Sequence, residues 1–573
     1  MKESKPVYGV KAEKNAYVTM RDGVRVAVDI YRPNAEGTFP ALLSMSPYSK
    51  DVQVLKIPYG YGFNMEYPHV EAGDTEFWVS RGYAHVIADH RGTGMSEGEF
   101  CGWFAKEQQE DGYDLVEWIA QQPWCDGNLG MVGISWFAVI QYLVAAQQPP
   151  HLKAIAPHDG WGDLYRDTIY HGGIFSMAWP PFLKWEMYLK NPTSASRKMY
   201  REPGQLEKMV EEALNTVPIN KCAYLVGTLM VPENDPATFD FTLHPLDGPF
   251  YWERSAHTKW EKIKVPVFFG SEMHDQPVSM HLPGSFSGWD GVSTPKKLVT
   301  RPSVPERPFH EFHDELLRWY DYWLKGIDNG VMEEPPIRIW VRGANENRFG
   351  KEWPLKETRW VKFYLSEDST LKCDAPPDAD EAVDSFLYKP QFPIMRNAVP
   401  LDPRPGYLCY TTEPLTEELE ITGPLALYLY GSISSEDADW IVKLTDVNPD
   451  GTQWVLSRGW LKASHRELDD AKSKPWKPYH PHTRSVPVVP GEINEYAIAI
   501  QPIANLFKRG HKIKLEIWGC DYPLPEDWPD PMLGYPAFAH LPNPKETRQS
   551  VYRTAQYPSH LLVPVIPRRG FVI

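Results

Sequence analysis

Apolar and polar residues alternate through 16–31 (AYVTMRDGVRVAVDIY), and the alternation breaks at Arg21-Asp22-Gly23. Successive side chains of a strand point to opposite faces and Asp-Gly suits a tight reversal, so this stretch predicts a β-hairpin. Continuously apolar runs follow at 39–48 (FPALLSMSPY) and 83–89 (YAHVIAD), the second ending in the turn Arg91-Gly92-Thr93-Gly94. Such runs predict strands buried on both faces. Residues 109–121 gather Tyr113, Val116, Trp118, Ile119 and Ala120 towards one side, with acids in the first turn, and predict a helix. A very short run, Leu129-Gly-Met-Val-Gly133, leads directly into helical sequence at 136–147, and Ile155-Ala-Pro-His158 reads as the next strand. Strand, helix and strand in alternation predict a parallel sheet flanked by helices.

The pattern changes from about 163 to 245, where helical segments such as 204–215 sit among dense Trp, Tyr and Pro. This predicts a helical insertion, or cap. Sheet pattern returns at 265–270 and 297–300, and an amphipathic helix is predicted from His313 to its stop at Gly326. Beyond 350 helical periodicity fades. Short strands are predicted at 359–366, 417–430, 439–447, 453–463, 495–502 and 511–519, the signature of a β-sandwich or jelly roll.

Composition narrows the reading. A length of 573 residues suits two or three domains, and 55 prolines imply long ordered loops. A net charge of −16 without a basic stripe argues against nucleic acid. The cysteines at 101, 125, 222, 373, 409 and 520 form no C-x-x-C pair, so no metal site is expected. The polar start Met1-Lys-Glu-Ser-Lys-Pro and the lack of a membrane-length apolar run predict no leader and no membrane association. Free thiols fit a cytoplasmic protein.

The chemistry concentrates at Gly133-Ile134-Ser135-Trp136-Phe137-Ala138, between a short strand and a helix. A serine on such a turn is thrust into solvent, and the N–H after it, at a helix N-terminus, can stabilise an oxyanion. The usual G-x-S-x-G has Gly where Phe137 stands here.

Asp126-Gly-Asn-Leu-Gly-Met-Val-Gly-Ile-Ser135-Trp resembles the cocaine esterase and X-Pro dipeptidyl-peptidase family of serine hydrolases, which includes α-amino-acid ester hydrolases. Met20-Arg-Asp-Gly-Val-Arg-Val-Ala, Asp89-His-Arg-Gly-Thr-Gly-Met-Ser-Glu-Gly98, Arg318-Trp-Tyr-Asp-Tyr-Trp-Leu-Lys-Gly-Ile-Asp and Leu506-Phe-Lys-Arg-Gly-His-Lys-Ile are similar to it in the same order. The resemblance implies an α/β-hydrolase core (1–162 and 246–345), a helical cap (163–245) and a C-terminal jelly-roll β domain (346–573). It also implies a Ser–Asp–His triad, with a Tyr hydroxyl in the oxyanion hole.

Carried over by position, Ser135 is the nucleophile, Trp136 follows where the family has Tyr, and Tyr48 in Ser-Pro-Tyr48-Ser-Lys is the oxyanion Tyr. Asp275 matches the family acid, with Glu272 as local competitor. The family His lies a few residues past a Gly-Pro, but here the stretch reads Arg301-Pro302-Ser303-Val304-Pro305. His310 and His313 follow; His310 is the expected base, because His313 opens a helix. His69, His90, His158, His171 and His274 stay open. The expected activity is hydrolysis of a small ester or amide with an apolar or aromatic acyl part, through an acyl-enzyme, with no cofactor and as monomer or homo-oligomer. Acyl transfer, X-Pro dipeptide removal and binding without catalysis are the competing readings; for dipeptide removal, neither Glu186 nor Glu211 is assignable to an α-amine.

Overall fold

This computed structural model describes residues 3–56, 70–177, 187–216, 218–273, 281–302, 309–376, 382–390, 406–521 and 540–568. The expected hairpin forms: β1 (Val10–Thr19) and β2 (Arg25–Pro33) pair antiparallel around Gly23, whose φ is 88°. They edge a ten-stranded sheet that also holds β3 (Phe39–Ser46), β4 (Ala84–Asp89), β5 (Cys125–Met131) and β6 (Leu152–Ile155). A short hairpin, β7 (Tyr170–His171) and β8 (Ile174–Phe175), stands apart from this sheet. β9 (Val267–Glu272), β10 (Lys296–Arg301), β11 (Ile337–Val341) and β12 (Glu346–Gly350) complete it. The order is β1-β2-β4-β3-β5-β6-β9-β10-β11-β12, parallel from β4 to β11. β12 pairs antiparallel with β11, so this sheet runs past residue 345, where the sequence places the limit of the core.

Every residue of β3, β4 and β9 is buried, as strands covered on both faces require. One face carries the helices Lys106–Ala120, Trp136–Ala146 and Leu282–Gly291. The other carries Thr75–Ser80 and His310–Lys325, through Trp78, Tyr83, Phe268, Trp319 and Tyr320. The last helix starts at His310, not at His313 as the periodicity predicts, because Phe309 turns into the left-handed region (φ 56°) and caps it. Helices Ala195–Met199, Gln205–Asn215, Ala223–Met230 and Pro236–Leu243 occupy the predicted cap region.

Eleven further strands make a second sheet: β13 (Arg359–Ser366), β14 (Thr370–Lys372), β15 (Val383–Tyr388), β16 (Tyr407–Thr411), β17 (Leu419–Ile433), β18 (Asp439–Val447), β19 (Gln453–Lys462), β20 (Asn494–Phe507), β21 (Lys512–Trp518), β22 (Thr547–Tyr552) and β23 (His560–Ile566). β23 pairs with both β13 and β17, which closes the sheet into a barrel where an open sandwich is one prediction. Its interior is a core of its own, but Ile441, Trp460, Leu506 and Trp518 join the core of the ten-stranded sheet. The β7–β8 hairpin docks there: Lys462 N–H donates to Gly172 O (2.8 Å) and Leu541 N–H to Phe175 O (2.8 Å). Arg166 donates to the carbonyls of His480 (3.0 Å) and Pro481 (2.9 Å) while Asp163 and Asp247 neutralise it. Among the described residues no helix is long and apolar enough to cross a membrane.

Candidate active site

β5 ends at Met131, and the chain turns sharply through Gly133 (φ 128°) and Ser135 (φ 58°, ψ −118°) into the helix Trp136–Ala146. A left-handed φ at a serine is strained and persists only where the surroundings impose it. Two hydrogen bonds impose it: Ile134 N–H to Glu71 O and Ser135 N–H to His158 O, both 3.1 Å. Gly133 is obligatory, because a Cβ there would sit 2.5 Å from Phe137 Cβ and 3.0 Å from Glu71 O. The missing motif glycine at Phe137 has a local explanation. Close approach between this helix and the next loop occurs one residue on, where a Cβ at Gly160 would lie 2.9 Å from Ala138 Cβ. The small residue needed for the contact is supplied from across it, by Gly160.

The Ser135 side chain is half-buried and does not cap its own helix. Phe137 N–H bonds Ile134 O and Ala138 N–H bonds Ser135 O, whereas the Trp136 N–H meets no acceptor among the described residues. Tyr48 stands just past the end of β3, buried, with its ring edge-on to Trp136 (6.1 Å) and tilted against Phe137 (6.5 Å). The Trp136 indole is wholly buried. It stacks on Phe104 at 4.1 Å, meets Trp103 and Trp161 edge-on, and donates to His90 Nε2 at 3.2 Å. These aromatics form a dry wall behind the elbow, the turn at 133–135 between β5 and the helix Trp136–Ala146, rather than an open lining; Trp179 lies outside the described residues.

Asp275, His274 and His69 also lie outside the described residues, as does the stretch 303–308. His310, expected on a loop, is the first residue of the last helix; its Nδ1 is 3.7 Å from Asp74 Oδ2. His313 is a packing residue: its ring stacks on Phe77 (4.6 Å) and its Nε2 accepts the Asp74 N–H (3.1 Å). Burial drives its pKa far below the ordinary imidazole value. No hydrogen bond joins either imidazole to Ser135 among the described residues. His90 and His158 are buried and held neutral, each pushed down to about 3 by burial. The His158 ring packs on Phe268 and Phe312, away from the elbow helix. His171 belongs to the seam with the β barrel, its Nδ1 2.8 Å from His540 Nε2. Glu211 is exposed on its cap helix, and Glu186 lies outside the described residues.

The sequence reading missed a charged cluster at the same edge of the sheet. Asp159 follows His158 directly, and its carboxylate forms a buried ion pair with Arg301 at the end of β10. Burial opposes the charge of Asp159, but Arg301 keeps its pKa below the usual carboxylate range. Glu272, at the end of β9, is wholly buried beside Asp159; burial and that neighbour raise its pKa well above normal and keep it neutral. His281 Nδ1 lies 3.7 Å from Glu272 Oε1, and the His281 ring stacks over Trp161. Ligand atoms of Asp159, Glu272 and His281 fall within 4.8 Å of one another, yet the guanidinium on Asp159 already supplies the cation that a metal would bring. Arg301 stands where the family pattern has Gly, and a charge ending an apolar strand was the available signal that a buried partner exists.

A strained serine at the C-terminal edge of a parallel sheet, backed by a helix N-terminus, defines a serine hydrolase. Two profiles of one family match nearly the whole chain: "X-Pro dipeptidyl-peptidase (S15 family)" over 22–304 and "X-Pro dipeptidyl-peptidase C-terminal non-catalytic domain" over 329–562. The chain belongs to this family. It is 28% identical to cocaine esterase of Rhodococcus sp., over 97% of this chain and 98% of that protein. The crystal structure of a CocE/NonD family hydrolase from Staphylococcus aureus superposes with a TM-score of 0.76 at 23% identity, covering 97% of this chain and 93% of the other. An α-amino acid ester hydrolase superposes at 0.70 and 18% identity, covering 99% and 98%.

Proposed function

We propose that the chain hydrolyses small esters or amides through an acyl-enzyme on Ser135. The observation that carries this is the elbow itself. A strained serine whose hydroxyl is spared from helix capping, beside an amide that meets no acceptor among the described residues, is costly to keep unless the hydroxyl reacts. In this reading Ser135 Oγ attacks the substrate carbonyl, and the Trp136 N–H and the Tyr48 hydroxyl hold the resulting oxyanion. Asp275 orients the imidazole, and His310 takes the serine proton and returns it to the leaving group; water then clears the acyl group. Asp74 Oδ2, 3.7 Å from His310 Nδ1, is placed to steady this imidazole. We read the core as an α/β hydrolase and the barrel as a jelly roll whose layers have joined through β23, closing one side of the cleft. The free thiols suit a cytoplasmic setting.

Cocaine esterase by name acts on an ester, and the family profile names a peptidase of X-Pro bonds. Both reactions pass through the same acyl-enzyme. A fluorophosphonate probe decides whether that chemistry exists: stoichiometric labelling at Ser135, with none in Ser135→Ala, supports it, and an unlabelled native chain rejects it. Turnover of a p-nitrophenyl ester compared with an Ala-Pro chromogenic amide then assigns the substrate class.

A further inference from the structure

Loop 99–105 of the hydrolase core runs along the cap segment that leads into the helix Ala195–Met199. Phe100 N–H donates to Asn191 O (2.8 Å) and Thr193 N–H to Phe100 O (2.9 Å), so the two segments are stitched together. At the end of that seam Cys101, 4% exposed, meets Lys198 of the cap helix. Lys198 Nζ lies 2.7 Å from Cys101 Sγ and 2.8 Å from Glu99 Oε2. That distance is at the near limit even of an N–H···O bond, and sulfur is a larger atom than oxygen. It is the separation of a nitrogen and a sulfur joined through one intervening atom. All six cysteines are free thiols, so Cys101 has no disulfide partner, and the amine is the group placed to trap an oxidised sulfur.

We propose that Cys101 and Lys198 form a reversible covalent bridge, in which one oxygen atom links Sγ to Nζ and hydrogen peroxide is the oxidant. The first peroxide oxidises sulfur by two electrons: the thiolate attacks, the S–O bond forms, the O–O bond breaks and hydroxide leaves as water, giving a sulfenic acid. Glu99 takes a proton from the Lys198 ammonium. The N–O bond then forms between the amine and the sulfenic oxygen, the O–H and one N–H are lost, and nitrogen gives up two electrons to a second peroxide, which becomes two waters. Overall a thiol, an amine and two peroxides yield the bridge and three waters. Lys198 and Glu99 are 40% and 48% exposed, so the oxidant reaches the pair from the amine side although the sulfur is buried. Burial pushes the Cys101 thiol up against the pull of Lys198, so bridging is faster in mild alkali than at neutral pH. Phe104, on the same loop, stacks on Trp136 beside Ser135, so the bridge ties the cap to the wall behind the elbow.

The full chain, treated with peroxide and digested with trypsin, tests this by mass spectrometry. The expected product joins the Cys101 and Lys198 peptides with a mass equal to their sum plus one oxygen less two hydrogens. It disappears on treatment with dithiothreitol and is absent in Cys101→Ser and in Lys198→Arg, which keeps the ion pair to Glu99. The Tm of the oxidised native chain rises and returns to its starting value with reductant, while the two variants show no such rise. A linked pair lacking the oxygen, a Cys101 sulfinic acid beside a free lysine, or full tryptic cleavage after Lys198 in the oxidised chain overturns the proposal.

Discussion

The amide of Ser135 donates to the carbonyl of His158 at 3.1 Å, which makes the backbone of the elbow an extension of the sheet. Ile134 and Gly270 flank His158 in the same row of parallel bridges. The left-handed backbone of Ser135 is therefore imposed by the sheet and not by its own side chain. Replacing the hydroxyl leaves that frame intact. Ser135→Ala is expected to lower ester turnover by about 10³-fold or more with Tm nearly unchanged. Ser135→Gly is expected to be equally inactive yet more stable by about 1 kcal/mol, because glycine occupies φ 58° without strain. Denaturant unfolding of the three proteins gives the ranking; a glycine variant less stable than the parent contradicts the strain argument.

The two candidate imidazoles separate by experiment because they sit in different surroundings. His313 is buried against Phe77 and Trp78 and accepts the Asp74 N–H, so His313→Ala opens a cavity and strands a donor. A loss of about 2–4 kcal/mol of stability is expected, with turnover per folded molecule largely kept. His310→Ala is expected to do the opposite, costing turnover by about 10²-fold or more and little stability. If both variants lose stability and neither loses turnover, the base lies elsewhere.

The regular elements were legible because their signals are local. The Asp-Gly hairpin, the buried strands β3 and β4, and β13 and β18 each follow from a few neighbouring residues. The elbow was legible for the same reason: a strand, a glycine and a helix must lie in immediate succession. The charged cluster was not, because Asp159 and Arg301 are 142 positions apart and nothing in either neighbourhood names the other. The start of the last helix was displaced for a related reason. Phe309 adopts a backbone that sequence assigns to glycine or asparagine, so the helix gains a turn that puts His310 on it. Closure of the barrel depends on β23, which pairs with β13 and β17 from the far end of the domain.

Arg301 and Asp159 form a buried pair, and removing one partner leaves an uncompensated charge. Arg301→Gly, which restores the family residue, is expected to cost about 3–5 kcal/mol rather than improve the protein. Adding Asp159→Asn to Arg301→Met is expected to recover most of what Arg301→Met alone loses. A double variant no more stable than that single variant removes charge burial as the cause.

Glu272 sets a pH dependence whose sign can be worked out. Its pKa is raised in the folded chain, so the folded state holds a proton that the unfolded state releases above about 4.5. The stabilisation this gives is complete below the unfolded pKa and declines as pH rises towards the folded one. Glu272→Gln keeps a neutral side chain able to donate to Asp159 at every pH. The variant is therefore expected to match the parent at pH 4 and to exceed it increasingly towards pH 8, as read from Tm across the range. Equal Tm values at pH 8 mean that Glu272 is ionised in the fold and that the burial argument is wrong.

Arg166 is the polar anchor of the seam between the hydrolase sheet and the barrel. Its guanidinium donates to the carbonyls of His480 and Pro481, and Asp163 and Asp247 neutralise it. Arg166→Met keeps much of the apolar stem but strands two carboxylates and two carbonyls in a buried interface. Because Trp460, Leu506 and Trp518 still join the hydrolase core, the barrel stays docked, and the loss is expected as a lowered Tm with one cooperative transition. If two resolved transitions appear instead, the seam is held chiefly by Arg166, and the shared apolar core contributes less than its burial suggests.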